Sequence, residues 1–462
     1  MMSPDGPSGT TDVAVVGGGA CGMAAAIAAR QQGAEVVLLE KEPVLGGNTA
    51  LSTGSVPGAG TRFQAAAGIE DSPERMAEDI LRQTGYQSDR ELVLHLCNES
   101  RELVHWLVDD LGVELYLVTD YKHVGHSVHR LHAPASREGS DLVRDLRRAM
   151  KDFEVPVRVG VPVVGILTGD DGSVVGVEVE EEGERIRVEA EKVILASNGF
   201  AANREMLRRY CPDVADAPYF GAPGNTGEGI EWGQRLGGLT EHMGAYQGYA
   251  AVSPNGTLVS WTTIEKGGII VDQEGRRFGD ETSGYSAFVP EVQRHTDGPI
   301  YVIFDRKIME SVRDHEPRFR GLVEGGIVKE APTLDELAAL YDIRRNNLKE
   351  TLARYNEAVR AGADEFGRKE FGTAPLEFPL YVVQASTGLF HTQGGLKINT
   401  NAQPLRADGS PIENLYAGGG VAVGISGADD GKGYSSGNGL LTALGWGKIA
   451  GEHAGGSIRG GR

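Results

Sequence analysis

Residues 12–40, DVAVVGGGACGMAAAIAARQQGAEVVLLE, decide the fold of this chain. The apolar run Val13–Val16 predicts a buried strand, the glycines after it predict a tight turn, and the alanine-rich stretch 23–32 predicts a helix. A second apolar run, Val36–Leu39, ends at Glu40. Strand, glycine turn, helix and acid-tipped strand together form a βαβ unit of the kind that binds dinucleotides.

Each residue of this pattern has its own physical role. Gly17 permits the tight turn, Gly19 lets backbone amides approach a pyrophosphate at the helix N-terminus, and Gly22 lets the helix pack close to the strand. Glu40 would accept hydrogen bonds from both ribose hydroxyls of an adenosine. A second glycine turn, EPVLGGNT at residues 42–49, is not needed by folds that bind only NAD. The nucleotide is therefore predicted to be FAD.

Composition excludes several classes of partner. The formal net charge is -20 and the pI is about 5.1, so polyanions such as nucleic acid or an anionic membrane surface are repelled. No apolar run approaches the roughly 18 residues that span a bilayer. Three cysteines without a CxxC pair predict neither disulfides nor structural zinc. With no export signal in the first ten residues, a reducing cytoplasm is the expected location.

The pattern of elements predicts an α/β protein with two domains. Residues 1–237 and 379–462 are expected to form a discontinuous, Rossmann-like FAD-binding domain of the glutathione-reductase type, into which an α+β capping domain, residues 238–378, is inserted. Residues 161–188 predict a β-hairpin excursion of the first domain. Residues 334–361 predict one charged helix in the cap, and the glycine-rich tail from Gly455 predicts coil.

Beyond the glycine turns, the chain resembles the family of soluble fumarate reductases and 3-ketosteroid dehydrogenases almost from end to end. The likeness is carried by four further segments: VILASNGF at 193–200, PGNTGEG at 223–229, GGIIV through RF at 267–278, and HTQGG at 391–395 with LYAGG at 415–419. Together they are specific for the family, though not for a substrate.

The resemblance implies which residues contact FAD, and that FAD is bound without a covalent link. Asn48 and Thr49 stand in the stretch where membrane-bound members carry a flavin-linked histidine, and Gly420 stands where the family has an acidic residue. The implied FAD contacts are Gly17, Gly19, Ala20, Cys21, Gly22, Glu40, Lys41, Gly46, Gly47, Asn48, Thr49, Ser52, Thr53, Gly54, Val161, Ala196, Ser197, Asn198, Gly199, Gly395, Gly418, Gly419, Asn438, Gly439 and Leu440.

The motif GYSSGNGL at 433–440 precedes an apolar stretch that predicts a helix to about residue 454. The resemblance directs the N-terminus of this helix at the pyrimidine carbonyl of the flavin. Its dipole and free amides would stabilise anionic reduced flavin there. The alternative is an ordinary buried helix.

The substrate positions of the family carry phenols here. Alignment by motif places Tyr285 at the acid arginine of a fumarate reductase, Tyr434 at a carboxylate-binding arginine and Tyr249 at a substrate-binding histidine, while His391 keeps its identity. Phenols lack the fixed charge and the bidentate geometry that recognise a dicarboxylate. At these positions the chain instead resembles the ketosteroid dehydrogenases. The resemblance rests on Tyr285, on Tyr434 and on Ser436, which completes a Tyr-x-Ser spacing with Tyr434.

These residues predict desaturation of a ketone, either a 3-ketosteroid or a small cyclic ketone. A carbonyl acidifies the neighbouring carbon, so its proton leaves while hydride leaves the next carbon. Tyr285 is the candidate base, and Tyr434, helped by His391, would donate a hydrogen bond to the developing enolate. Because the reference pKa of tyrosine is about 10, the base needs donors or positive dipoles nearby.

Three histidines, His126, His129 and His132, lie at metal-like spacing, but the sequence offers no second set of ligands, so no metal site is predicted. Arg130 among them is a candidate contact for an anionic substrate group. The sequence has no haem motif, no iron–sulfur cysteine set and no second dinucleotide fingerprint, which predicts an external electron acceptor such as a quinone, a dye or oxygen.

Two alternatives stay open. The same residues serve an ene-reductase that acts on an unsaturated acid or enone, as in fumarate or urocanate reductases, because a catalyst accelerates both directions. A flavin-binding protein that has lost its chemistry together with the arginines is the third reading.

Overall fold

The computed structural model describes residues 10–120, 122–372 and 375–459. Its first sheet has seven strands, and the predicted strand Thr11–Val16 lies in it between Val36–Glu40 and Glu184–Leu195, parallel to both. Val13, Ala14 and Val15 are fully buried, as expected for a strand covered on both faces. The other strands are Val157–Val159, Val163–Thr168, Val174–Glu181 and Leu415–Ala417.

The helix of the βαβ unit spans Ala20–Gln31 and packs against the last helix, Asn438–Arg459. Glycines of the last helix make this approach possible. A Cβ atom on Gly447, Gly451 or Gly455 would lie 2.4, 2.2 or 2.9 Å from a backbone oxygen of the first helix. Residues four apart share a helix face, so the three glycines form one groove.

A second sheet carries the other half of the molecule. Its order is Ile269–Val271, Ile300–Asp305, Leu380–Thr392, Gly244–Val252 and Asp429–Asp430, with Lys329–Ala331 beside Leu380–Thr392. Smaller pairings join Val56–Pro57, Leu131–Ala133 and Tyr116–Leu117, and also Thr240–Glu241 and Gly395–Leu396. Residues 380–392 therefore pair within the second sheet, although the sequence pattern assigned them to the first domain. The boundaries 237/238 and 378/379 stay predictions.

The remaining helices surround the two sheets. They are Gly47–Leu51, Arg62–Ala66, Pro73–Gln83, Arg90–Asp109, Gly139–Asp152, Arg204–Tyr210, Glu228–Arg235, Thr262–Glu265, Val289–His295, Arg306–His315, Pro317–Glu324, Leu334–Leu340 and Arg345–Ala361. The mixed α/β architecture agrees with the prediction, and so does the excursion at 161–188, whose strands pair antiparallel. Among the described helices, none has the length and apolar character needed to cross a bilayer.

Two predicted elements are wrong. The single helix at 334–361 is two helices, because Asp342 has a φ of +54° and breaks the chain between them. The tail is not coil over 455–459, where the last helix continues to Arg459. Gly455 is helical because its missing side chain lets it pack against Ala29. Residues 460–462 lie outside the described part of the chain.

Candidate active site

One large cavity runs from the first glycine turn to a group of aromatic side chains contributed by the second sheet and the last helix. Seventeen of the predicted FAD contacts line it: Gly17, Gly19, Ala20, Cys21, Glu40, Lys41, Gly47, Asn48, Thr49, Ser52, Thr53, Ala196, Ser197, Asn198, Gly419, Gly439 and Leu440. The five candidate catalytic residues line the same cavity. The fold thus brings the two predicted sets of residues to one site.

The first turn is shaped by backbone contacts. Gly17 has a φ of +109°, and a Cβ atom there would lie 2.5 Å from the carbonyl oxygen of Ala196. A Cβ on Gly22 would lie 1.8 Å from the oxygen of Gly17. The carboxylate of Glu40 accepts hydrogen bonds from the amides of Gly18 (2.6 Å) and Glu42 (2.8 Å). Glycines here are required by the close approach of backbone to backbone.

The second turn is tied to distant parts of the chain. The side-chain oxygen of Asn48 accepts from the amide of Ala222 (2.6 Å), and its nitrogen donates to the carbonyl of Phe390 (3.2 Å). The hydroxyl of Thr49 accepts from the amide of Ala20 at 3.2 Å. The residue after Glu40, Lys41, forms an ion pair with Glu228 at 2.8 Å.

This end of the cavity fits a dinucleotide. The helix Ala20–Gln31 begins at the cavity wall, so its free amides face the space where a pyrophosphate would lie. Three buried polar atoms of the lining residues also lack a hydrogen bond among the described residues. They are Ser197 Oγ, Glu228 Oε2 and Gln393 Oε1. Buried polar atoms are normally paired, which points to a polar ligand here.

Eight residues predicted to contact FAD do not line the cavity: Gly22, Gly46, Gly54, Val161, Gly199, Gly395, Gly418 and Asn438. Several of them have close packing contacts. Added Cβ atoms would lie 2.1 Å from Thr392 Oγ1 at Gly199, 2.4 Å from the carbonyl oxygen of Val421 at Gly395, and 2.7 Å from Cys21 Sγ at Gly418. In place of Val161, Val163 lines the cavity.

The other end of the cavity is an aromatic cluster. The rings of Tyr249 and Tyr285 stack with centroids 4.9 Å apart, and Tyr434 lies edge-on to Tyr285 at 6.2 Å. His391 lies edge-on to Tyr434 at 5.7 Å. The hydroxyl of Tyr285 lies 3.1 Å from the hydroxyl of Ser436. Four residues that are far apart in the sequence thus converge with Ser436 on one wall.

Tyr434 and His391 are both uncharged at neutral pH. Burial raises the pKa of Tyr434 to about 12, although its oxygen accepts a hydrogen bond from the amide of Gly439 at 3.4 Å. Burial lowers the pKa of His391 to about 4. His391 Nδ1 lies 2.8 Å from the side-chain nitrogen of Gln393 and 3.4 Å from the carbonyl oxygen of Thr392. A phenol and a neutral imidazole can each donate one hydrogen bond here.

The hydroxyl of Tyr249 is used by the protein itself. It donates to the carbonyl of Val259 and accepts from the amide of Trp261, both at 3.0 Å. Its ring lines the cavity, so Tyr249 reaches the cavity by its aromatic face. The predicted contact of its hydroxyl with a substrate stays a prediction.

The histidine-rich segment supports the aromatic cluster from behind. Arg130, which is 1% exposed, forms ion pairs with Asp71 (2.8 Å) and Asp79 (2.7 Å) and lies 3.2 Å from His126 Nδ1. His126 Nε2 in turn lies 2.7 Å from the carbonyl oxygen of Ser436. Burial lowers the pKa of His126 to about 4, so the neutral ring accepts from Arg130 and donates to Ser436.

This network corrects one prediction. Arg130 was expected to be available to an anionic substrate group, yet its guanidinium is enclosed by two carboxylates and does not line the cavity. His132 is bonded to Thr61 at 3.0 Å. Within the described residues no group of three or more His, Cys, Asp or Glu side chains could hold a metal ion.

Residues that sequence reasoning missed line the cavity on the side of the second sheet. They are Arg137, Trp261, Glu265, Glu316 and Arg318. Arg318 binds the carboxylate of Glu138, with Nε to Oε1 at 2.8 Å, and Arg137 lies 3.7 Å from Asp120. Both arginines are therefore paired with a carboxylate. No motif marks these five residues, because they come from loops and short helices without a repeating pattern.

Comparisons with known proteins agree with this geometry. A profile of the FAD binding domain family matches residues 12–436. The fumarate reductase (cytochrome) of Shewanella frigidimarina is 33% identical over 454 residues, which cover 97% of this chain and 77% of that protein. The urocanate reductase of Eggerthella lenta is 31% identical over 429 residues, which cover 90% of this chain and 71% of that protein.

The fold is also similar to that of a solved ketosteroid dehydrogenase. The 3-ketosteroid Δ4-(5α)-dehydrogenase of Rhodococcus jostii RHA1, in complex with 4-androstene-3,17-dione, superposes with a TM-score of 0.76 at 26% identity, covering 97% of this chain and 96% of that one. The chain therefore belongs to the FAD binding domain family and is an FAD-dependent oxidoreductase of carbon–carbon bonds, similar in sequence to fumarate reductases and in structure to a 3-ketosteroid dehydrogenase.

Proposed function

We propose that this protein desaturates a ketone at the carbons next to its carbonyl group, on a cyclic ketone of small or steroidal size. The observation that carries the proposal is the convergence of Tyr285, Ser436, Tyr434 and His391 on one wall of the cavity, with the Tyr285 and Ser436 hydroxyls 3.1 Å apart. Bound FAD supplies the group that accepts hydride from the substrate. The protein residues manage the proton and the carbonyl.

The carbonyl of the substrate is polarised by neutral donors. Because burial keeps the pKa of Tyr434 at about 12, its phenol retains its proton at neutral pH and can donate to the carbonyl oxygen. The amide of Gly439, at the start of the last helix, holds the phenol oxygen at 3.4 Å. In the tautomer that carries its proton on Nε2, His391 is a second donor on the same wall.

Tyr285 removes the proton from the carbon next to the carbonyl. A donor that hydrogen-bonds a phenol oxygen favours its ionised form, and Ser436 is placed to do this. The position of Ser436 is fixed in turn by its amide, which donates to Val124 at 3.0 Å, and by its carbonyl, which accepts from His126. Tyr285 and Ser436 therefore work as one unit at the reacting carbon.

The proposal is tested with purified, FAD-loaded protein and a dye as electron acceptor. Cyclohexanone, a 3-ketosteroid, succinate and fumarate are offered as substrates, and dye reduction is followed in parallel with product analysis. Ketone-dependent dye reduction that is lost in Tyr285→Phe supports the proposal. Turnover of the dicarboxylates alone would reject it.

Reduction of an unsaturated acid or enone is the second candidate. It is favoured by the relatives, which are named as reductases of fumarate and urocanate, and by Arg137 and Arg318 in the cavity wall. Oxidation of a reduced dye by enones or acrylate-type acids separates it from desaturation. If neither assay gives turnover and no substrate bleaches the flavin, a non-catalytic flavin protein is the remaining reading.

We further infer that FAD is held without a covalent bond, since Asn48 and Thr49 carry no nucleophilic nitrogen or sulfur and their side chains bond to the protein. Release of free FAD on acid precipitation tests this. The electron acceptor (quinone, dye or oxygen) and the cytoplasmic location stay predictions.

A further inference from the structure

The cavity wall beside the tyrosines carries polar groups that the proposed chemistry does not use. Trp261 lies edge-on to Tyr285, with ring centroids 6.3 Å apart, and begins the short helix Thr262–Glu265. The amide of Glu265 donates to the carbonyl of Trp261 at 3.1 Å, so the two residues lie one helical turn apart. Glu316 lines the same wall. Two carboxylates thus line the cavity that the tyrosines also line.

Among the residues that the structure describes, no cationic side chain forms an ion pair with the carboxylate of Glu265 or of Glu316. The carboxylate of Glu316 accepts a hydrogen bond from the hydroxyl of Thr262 at 2.7 Å. Oε2 of Glu265 is buried without a hydrogen bond. The indole nitrogen of Trp261, a side chain only 5% exposed, also lacks a partner. Unpaired buried polar atoms are costly, so a cavity that keeps them is shaped for a polar ligand.

We propose that Glu265 and Glu316 form a subsite for a protonated nitrogen on the substrate, at the end away from the reacting carbons. This inference rests on the proposed function for the identity of the reacting end. A cation would complete the hydrogen bonding of Glu265 and would lie near the indole ring of Trp261, which also attracts cations. The subsite would select aminated cyclic ketones over apolar ones.

The electrostatics around the pair agree with this geometry. The pKa of Glu265 is raised to about 8, mainly by burial and then by the negative charges of Glu316 and Glu370. The positive charges of Lys266 and Lys122 oppose this rise. Burial also raises the pKa of Glu316, which faces Arg137 and Asp120 as well. At neutral pH Glu265 therefore holds a proton, which a bound cation would displace.

This displacement gives a pH dependence with a definite sign. A ligand that stays cationic should bind more tightly as the pH rises toward 8, by at most about tenfold per pH unit, and should bind with constant affinity above that value. A neutral ligand of the same shape should show no such trend. The wild-type protein suffices for this measurement.

The test is a titration of the flavin absorbance of FAD-loaded protein with cyclohexylamine and, as its neutral counterpart, cyclohexanol. We expect cyclohexylamine to bind at least about tenfold more tightly at pH 8, which is the worth of one charge-assisted hydrogen bond. Glu265→Gln and Glu316→Gln should each abolish this preference. Glu324→Gln is the matched control, because Glu324 is exposed and lies outside the cavity, and it should keep the preference.

Equal binding of the two ligands, tighter binding of cyclohexanol, or an unchanged preference in Glu265→Gln would overturn the subsite. The titration needs no turnover, so its result is independent of the ketone assay. An amine preference without ketone turnover would reject the proposed function alone, whereas ketone turnover without an amine preference would reject the subsite alone.

Discussion

The two ends of the cavity are built in different ways. The nucleotide end is made largely of backbone from residues 17–54, where glycines allow close approach and a helix N-terminus presents free amides. The aromatic end is made of side chains from separated segments, namely 249–265, 285, 316–318, 391 and 434–436. A local sequence pattern can therefore specify the nucleotide end, whereas the aromatic end forms only when the chain has folded.

This difference teaches where substitutions should act. A side chain added at the nucleotide end collides with backbone, which cannot move aside cheaply, so folding and FAD binding should suffer. A side chain altered at the aromatic end removes a functional group from a wall that otherwise persists, so the chemistry should suffer and the fold should remain. The predictions below test this division.

The largest effect is expected from Gly22→Val. Its Cβ would lie 1.8 Å from the oxygen of Gly17, so the turn and the helix cannot keep their distance. We expect a loss of bound FAD and a destabilisation of more than about 3 kcal/mol, measured by flavin content and urea unfolding. Gly321→Ala is the control, because no atom lies within 4 Å of its added Cβ and its stability should be unchanged or slightly higher. Normal FAD content in Gly22→Val would contradict the backbone construction.

Tyr285→Phe should lower kcat for a ketone by about 10²- to 10⁴-fold, the usual worth of a general base, while FAD content and the unfolding midpoint stay near those of the wild type. Steady-state kinetics with a dye acceptor measure this change. Tyr301→Phe is a matched control: that hydroxyl bonds to Gln273 outside the cavity, so kcat should be retained. An unchanged kcat in Tyr285→Phe would remove the proposed base.

Acid should weaken the fold through the histidines behind the aromatic end. Burial lowers the pKa of His126 and of His132 to about 4, so between pH 6.5 and 4 the unfolded chain binds protons that the folded chain refuses. The stability is complete above pH 6.5 and falls as the pH decreases. At pH 5.5 each histidine should cost about 1.4 kcal/mol relative to pH 7.5, measured by urea unfolding at both values.

A His126→Asn variant provides the check on this prediction. Its pH-dependent loss should be smaller by about 1.4 kcal/mol, since one of the buried titrating histidines is gone. The same loss in the variant and the wild type would show that His126 is not responsible.

The smallest effect is expected from Ser436→Ala. The variant removes one hydroxyl at 3.1 Å from the phenol of Tyr285 and leaves the backbone bonds of residue 436 in place. We expect kcat to fall about tenfold and the rise of kcat with pH to move to higher pH, because the ionised phenol that acts as the base loses a donor. A pH profile of kcat measures both changes. The neighbouring Ser435→Ala, whose hydroxyl lies outside the cavity lining, is the control.

Much of the site could be predicted from single segments. The turn at 17–22, the acid at Glu40 and the second turn at 46–49 have fixed spacings, and most of these residues do line the cavity. Eight predicted contacts lie outside that lining. At Gly199, Gly395 and Gly418 the glycine also has a close packing contact, and a short sequence pattern cannot separate this role from contact with a ligand.

Other features had no local signal at all. The end of the last helix, residues 455–459, reads as coil because glycines have poor helix propensity, and the packing of Gly455 against the helix Ala20–Gln31 explains why it is helical. Arg130 reads as an accessible cation, yet Asp71 and Asp79 enclose it from positions more than fifty residues away. Glu265 and Glu316 are also far apart in the sequence, and they line one cavity only in the folded chain.

The sequence by itself determined the βαβ unit and the FAD-binding family, because these depend on spacing along the chain. The tertiary structure alone decided that Tyr285 meets Ser436, that Arg130 is enclosed, and that Glu265 and Glu316 face the cavity. Spacing fixes local backbone geometry through steric limits, whereas contacts between distant side chains depend on how two sheets and a long helix pack.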